Sequence, residues 1–274
     1  MELAGKVAIV TGSGGLGSGR AEALCLAREG CRVVVADIKD EGGAETVRRI
    51  QAAGGIAQFA HCDVQSRDQV RALVSYAERQ FGGLNILVNN ASAPFRPGAP
   101  MEQWHQPLQV DLVGAMYGVE FGVAAMRRRG GGAIVNVSST SALGYGPHAS
   151  ASTAYDIAKA GVLRLTTGLA VLAQEAGIRV NCLVPDWVAH PDVQAYYDAL
   201  TPEQRAHPRV PPRLTELAEI AQAVVRLVTD ESLAGRVLVM WSGREPRLIS
   251  VEDRGYEELE PLEASGADSG FEMR

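Results

Sequence analysis

Tyr155 and Lys159 stand with three residues between them in Tyr155-Asp156-Ile157-Ala158-Lys159. In a helix that spacing places them one turn apart on the same face. A free phenol titrates at about pH 10, so it is protonated near neutrality, and a neighbouring ammonium favours the phenolate. Such a pair can pass a proton to or from a bound oxygen. A second cluster lies near the N-terminus in Thr11-Gly12-Ser13-Gly14-Gly15-Leu16-Gly17-Ser18-Gly19, followed by a helical pattern from Arg20. Glycines there let backbone N–H groups approach a diphosphate, which a helix N-terminus also attracts. Asp37 closes the next apolar run, where a carboxylate can accept hydrogen bonds from ribose hydroxyls. Proton transfer beside a bound dinucleotide is the chemistry these residues suggest.

The elements that position them follow from hydrophobic periodicity. Val7–Val10, Arg32–Ala36, Ile56–Ala60, Ile86–Val88, Ile134–Val137, Arg179–Val184 and Val237–Val239 read as strands, most of them apolar throughout. Between them Arg20–Arg28, Glu41–Ala53, Arg67–Gln80, Met101–Arg128, Thr153–Gln174 and Thr215–Leu227 carry apolar residues at helical spacing. Continuous apolar strands alternating with amphipathic helices predict an α/β fold, a doubly wound parallel sheet in a single domain with helices on both faces. The domain is expected over 1–250. It includes a proline- and aromatic-rich excursion at 185–212, the length and composition of a binding lid. Residues 251–274 form an acidic tail.

Of 274 residues, 46% are hydrophobic, enough for a sizeable core. The net charge of −6 is that of 251–274, which hold eight Asp or Glu against two Arg; the rest is balanced. Without a basic stripe, nucleic acid and anionic membranes are not expected partners. No apolar run reaches membrane-spanning length, and a cytoplasmic protein is the default expectation. Cys25, Cys31, Cys62 and Cys182 show no Cys-x-x-Cys spacing and are expected to be reduced and mostly buried. His61, His105 and His207 have no partner at a ligand spacing, so no metal is expected. Arg96 reads as a solvated surface residue ahead of a carboxylate partner.

Together the motifs resemble the short-chain dehydrogenase/reductase family over about residues 5–243. Thr11 to Gly19 is similar to its Thr-Gly-x-x-x-Gly-x-Gly loop, Asp63-Val64 to its adenine-contacting pair, Asn89-Asn90-Ala91 to its strand-end motif, and Tyr155 to Lys159 to its Tyr-x-x-x-Lys. The resemblance implies a Rossmann fold and hydride transfer between NAD(H) and a secondary alcohol or ketone. By it Ser139 would hold the substrate oxygen, Tyr155 pass the proton, and Lys159 bind the nicotinamide ribose. Thr11, Gly12, Ser13, Gly15, Leu16, Gly17 and Gly19 would surround the cofactor from the first loop, and Asp37, Ile38, Asp63 and Val64 from the next two strand ends. Asn89, Ala91, Pro185, Trp187 and Val188 would complete that surface. The substrate pocket would draw on Phe95, Tyr145, His148, Trp187 and His190. A homotetramer or homodimer is implied, joined through the helices around 111–128 and 153–174. NAD is expected over NADP because Asp37 would face the 2′-phosphate with like charge, with Arg20 and Lys39 as the nearest cations.

Several positions depart from the family pattern. The glycine loop has one extra residue between Gly12 and Gly17. Asp111 stands where a helical asparagine completes the catalytic tetrad, so it is carried as a catalytic residue of changed chemistry. The family's Pro-Gly and following threonine, which contact the carboxamide, appear as Pro185-Asp186 and His190, and the stretch from Ser139 to Tyr155 is longer. Two alternatives stay open: a catalytically impaired NAD-binding regulatory protein, which the departures favour, and a sugar-nucleotide epimerase or dehydratase, which the lack of a sizeable C-terminal substrate domain disfavours.

Overall fold

The β-branched runs pair as strands of one sheet. In the computed structural model, which describes residues 1–94, 96, 98–143, 152–208 and 210–249, these are β1 (Val7–Thr11), β2 (Arg32–Asp37), β3 (Ile56–His61), β4 (Ile86–Asn89), β5 (Gly132–Val137), β6 (Ile178–Pro185), β7 (Val237–Met240) and β8 (Arg247–Leu248). Their order is β3-β2-β1-β4-β5-β6-β7-β8. The first seven are parallel, and β8 runs antiparallel to β7. This is the doubly wound, Rossmann-like sheet expected. Its order reverses between β1 and β4, and in such sheets ligands bind beyond the carboxyl ends of the strands at that point.

Alternate residues of each strand face opposite layers. Ala8, Val10, Val33, Val35 and Val88 pack with α1 (Ser18–Arg28) and a C-terminal helix over Leu217–Thr229. Val7, Ile9, Val34 and Leu87 face the other layer, with α3 (Arg67–Phe81) and α4 (Gly114–Arg127), while α2 (Asp40–Ala52) lies on the α1 side at the β2–β3 edge, with Ile50 and Val47 packed into the first cluster. The α3 helix starts on Ser66, whose side chain accepts from Gln69 N, and ends on Gly82 at φ +85°, a left-handed cap that glycine adopts without strain. Gly114, Gly118 and Gly122 give α4 a flat stripe against the sheet side. A Cβ at Gly114 would lie 2.9 Å from Val64, one at Gly122 2.9 Å from Leu87, and one at Gly118 would collide with the Asn89 amide.

Two helices differ from the periodic reading. The expected helix over 101–128 is broken into a 3₁₀ turn at Met101–Gln103, a π-helical turn at Leu108–Val113 and then α4. Pro107 explains the interruption, since it lacks an N–H and its ring clashes with the carbonyl four residues back. The expected helix over 153–174 ends early: α5 (Thr153–Gly168) stops at a glycine, and a short helix, Leu172–Ala176, follows. The 185–212 excursion contains α6 (Pro191–Asp198) and a single turn at Pro202–Arg205, and the C-terminal helix is α7 (Leu217–Thr229). The β8 strand was not anticipated, being two residues long. Phe95, Tyr145, His148 and the 251–274 tail lie outside the described residues. Among the described residues no helix is long and apolar enough to cross a membrane, and no cluster of His, Cys, Asp or Glu could hold a metal ion. Cys31, Cys62 and Cys182 are buried, Cys25 is half-buried, and all four are free.

One buried group works against the core. Glu22 on α1 is fully buried, and neither carboxylate oxygen has a hydrogen-bond partner among the described residues. Burial pushes its carboxyl up to about 8. An unfolded glutamate titrates near pH ~4.3, so the unfolded chain loses this proton first and folding is penalised increasingly as pH rises from there to about 8. Glu22→Gln should therefore come nearest the wild type below about pH 4 and gain on it by on the order of a few kcal/mol as pH rises to about 8. Parallel pH dependences of the two melting temperatures would show that Glu22 is not held protonated.

Candidate active site

The carboxyl end of β1 is tied to that of β4 before any ligand is considered. Thr11 Oγ1 accepts from Asn90 N and Ala91 N, both at 3.1 Å, and donates to Val88 O at 3.3 Å. Gly12 turns at φ +69°, with Ala91 Cα 2.8 Å from where a Cβ would sit, and the helix closes so tightly that a Cβ on Gly19 would strike Gly12 O. These two glycines let α1 pack onto the strand end. Thr11, Val64, Asn89 and Ala91 line one small cavity with Gly114 and Ala115.

Ser13, expected beside the cofactor, has its polar groups engaged within the fold. It is fully buried: its N–H donates to Ala36 O at 3.2 Å, its hydroxyl to Val10 O at 2.8 Å, and its carbonyl accepts from Thr46 Oγ1 at 2.8 Å. The Asn89 side chain also works inside the fold, donating to Asn136 Oδ1 at 2.8 Å, while Asn136 donates to Thr166 Oγ1 at 3.0 Å. Gly14, where the loop is longer, is held from both sides. Its N–H donates to Asp37 Oδ2 at 2.7 Å and its carbonyl accepts from Arg20 Nη2 at 2.9 Å. Arg20 is buried, with Nε on Thr46 Oγ1 and Nη2 also on Gly42 O, so it is not the solvent cation near the ribose that its sequence position suggests. Asp37 Oδ1 accepts from Lys39 N at 2.9 Å.

What remains open suits a dinucleotide. Gly17, the N-cap of α1, makes no side-chain cap bond and no acid lies in the first turn. A Cβ at Gly15 would meet nothing closer than 3.9 Å. Leu16 in the glycine loop and Ile38 next to Asp37, 56% and 60% exposed, leave large apolar side chains uncovered. Asp63, half-buried, accepts from Gln65 N at 3.0 Å next to buried Val64.

Tyr155 and Lys159 occupy successive turns at the start of α5, as the spacing predicts, with the ammonium 5.4 Å from the phenol ring centre. Lys159 is buried, and Nζ contacts Asp111 Oδ1 at 2.9 Å and donates to Val137 O at 3.1 Å. The π-helical turn aims Asp111 at this point, where its carboxylate also accepts from Ser92 Oγ and, at 3.0 Å, from Ala93 N. Burial disfavours the charge on Lys159, but the adjoining Asp111 and Tyr155 outweigh it and hold the ammonium above the ordinary lysine range. Ser139, half-buried just past β5, accepts from Ser141 N at 3.2 Å. Ser92 and Val137 escaped the sequence reading, because no motif marks a hydroxyl or a carbonyl that meets a lysine only through the fold.

Beyond β6 the chain folds over the same edge. Pro185 is buried opposite Met240. Asp186 accepts from Thr140 Oγ1 at 3.1 Å and Ser242 N at 3.3 Å, and burial raises its carboxyl above the usual range. The Trp187 carbonyl accepts from Thr215 N at 2.7 Å, its ring lies 5.9 Å from that of Tyr196, and Val188 bridges to Thr215. His190 caps α6, and its ring lies over Gly17.

The chain matches known proteins over most of its length. A family model described as enoyl-(acyl carrier protein) reductase covers residues 13–241. The chain is 35% identical over 255 residues to cis-4-hydroxycyclohexanecarboxylate dehydrogenase of Sinomonas cyclohexanicum, covering 88% of this chain and 97% of that one. It is 38% identical over 240 residues to 2,5-dichloro-2,5-cyclohexadiene-1,4-diol dehydrogenase of Sphingobium indicum, covering 84% and 92%. The crystal structure of a putative short-chain dehydrogenase/reductase from Burkholderia xenovorans superposes with a TM-score of 0.77 at 32% identity, over 88% of this chain and 96% of that one. On the family model, these identities and the shared fold, the chain belongs to the short-chain dehydrogenase/reductase family of oxidoreductases.

Proposed function

We propose that the protein transfers a hydride reversibly between NAD(H) and the carbinol carbon of a cyclic secondary alcohol or its ketone, with Tyr155 moving the hydroxyl proton. The observation that carries this reading is the first two turns of α5, where Tyr155 stands beside an ammonium buried against Asp111. The bound nicotinamide supplies the hydride acceptor or donor at C4. In oxidation Tyr155, as phenolate, takes the substrate's hydroxyl proton at its Oη; in reduction it returns it. Ser139 Oγ already accepts the Ser141 N–H, which leaves its hydroxyl hydrogen for the substrate oxygen, where charge develops. Lys159 uses two of its three N–H donors on Asp111 and Val137, and the third serves the nicotinamide ribose. The names of two relatives, both dehydrogenases of six-membered ring alcohols, support the ring substrate, and the Trp187–Tyr196 pair offers it an apolar wall. The same reading assigns a dimer or tetramer joined through α4 and α5, whose surfaces leave Met116 and Ile157 exposed.

Tyr155→Phe keeps the ring and removes the proton carrier, so kcat on a cyclohexanol panel should fall by ~10²–10⁴-fold while NADH still binds. Near wild-type turnover would rule out this mechanism. For the cofactor, Asp37 is buried and anchored, and Arg20 is engaged inside the fold. Placing a 2′-phosphate against that carboxylate costs on the order of several kcal/mol, so kcat/KM should favour NAD over NADP by about 100-fold. A preference for NADP would mean that Asp37 does not face the ribose. Asp111→Asn keeps an acceptor for Lys159 but removes the anion that raises it. Lys159 then loses its proton at lower pH, and the alkaline fall in activity should move to lower pH; an unmoved or upward-shifted limb in the pH–rate profile would uncouple Asp111 from proton transfer.

A further inference from the structure

The lid helix α6 begins where the glycine loop ends. His190 is its N-cap, followed by Pro191, and His190 Nδ1 accepts from Asp192 N at 3.3 Å. A ring nitrogen that accepts carries no proton, so this bond assigns the hydrogen of the neutral imidazole to Nε2. Asp192 Oδ2, 3.7 Å from Nδ1, is on that same nitrogen's side. The opposite edge of the ring faces Gly17: a Cβ there would stand 3.0 Å from Cδ2 and 3.8 Å from Nε2. Gly17 in turn caps the 11-residue α1, whose first turn has no side-chain cap and no acid, and whose Arg20 guanidinium is turned inward to Thr46 and Gly14. The Nε2 edge of the imidazole therefore lies beside the uncapped start of α1, and helix starts favour phosphate groups.

We infer that His190, through Nε2–H, donates directly to the diphosphate of the dinucleotide held at the glycine loop. This rests on the dinucleotide reading above and adds to it a ligand from the lid. The family resemblance gives this position to a threonine that touches the carboxamide, whereas here the side chain lies over the last loop glycine. The contact joins the start of α6 to the cofactor rather than to the substrate.

The test is binding, not turnover. NADH affinity is followed by its fluorescence, and ADP-ribose and adenosine are measured as displacing ligands on the full chain. His190→Ala should weaken NADH and ADP-ribose by about tenfold, as expected for one hydrogen bond to a charged group, and leave adenosine unchanged. His190→Gln, which keeps an N–H donor, should recover most of that loss. Equal ADP-ribose affinity in wild type and His190→Ala overturns the assignment. So does equal weakening of adenosine and ADP-ribose, or a glutamine variant as weak as the alanine one, since both indicate packing rather than donation. Failure of the wild type itself to bind NADH would overturn the underlying dinucleotide reading, an outcome distinct from NADH binding equally to wild type and variant.

Discussion

A lysine ammonium with almost no solvent contact is the constraint around which this site is arranged. Removing such a charge from water costs several kcal/mol unless an anion and further hydrogen bonds replace the lost hydration. Asp111 supplies the anion and Val137 O a second acceptor, while Ser92 and Ala93 satisfy the carboxylate in turn. The pair thus fastens four segments together: the π-helical turn before α4, the loop after β4, the end of β5 and the first turns of α5. Tyr155 inherits its position from that junction, being one turn before Lys159 on the same helix.

The cofactor side is held by the same kind of contact. Buried polar side chains at strand ends, Thr11, Asn89 and Asn136, hold the carboxyl edge of β1, β4 and β5 in register. Arg20, Thr46 and Asp37 perform the corresponding task for the longer glycine loop. Satisfied polar networks in a low-dielectric interior favour a single arrangement, since any alternative leaves a donor or acceptor unpaired. The loop is thereby held in one conformation by the protein's own contacts.

How much of this is visible in the sequence depends on the range of the interaction. The strands are legible because runs such as Val33-Val34-Val35 bury both faces, a local property of composition. Tyr155 and Lys159 are legible because their relation is fixed by one helical turn. The Lys159–Asp111 pair joins residues 48 positions apart through a π-helical turn that apolar periodicity does not reveal, so only the family's asparagine position brings Asp111 to the site in the sequence. Arg20 misleads for a related reason: its charge suggests solvent, while its surroundings of Thr46, Gly14 and Gly42 exist only once α1 and α2 have packed. Ser13 lies within a recognisable loop, yet which of its groups turn inward is decided by β2.

The π-helical turn at Leu108–Val113 also bears on how the chain tolerates changes in length. It sets the phase between Asp111, which must meet Lys159, and the Gly114, Gly118 and Gly122 stripe, which must lie flat on Val64, Asn89 and Leu87. Successive residues of an α-helix are about 100° apart around its axis. Deleting one residue here would relax the wide turn to ordinary α-helix, but it would also rotate the carboxylate and the glycine stripe out of step. A one-residue insertion or deletion in this segment would break the buried pair or the helix–sheet seam. Length is thus constrained most tightly where local helical geometry is least regular.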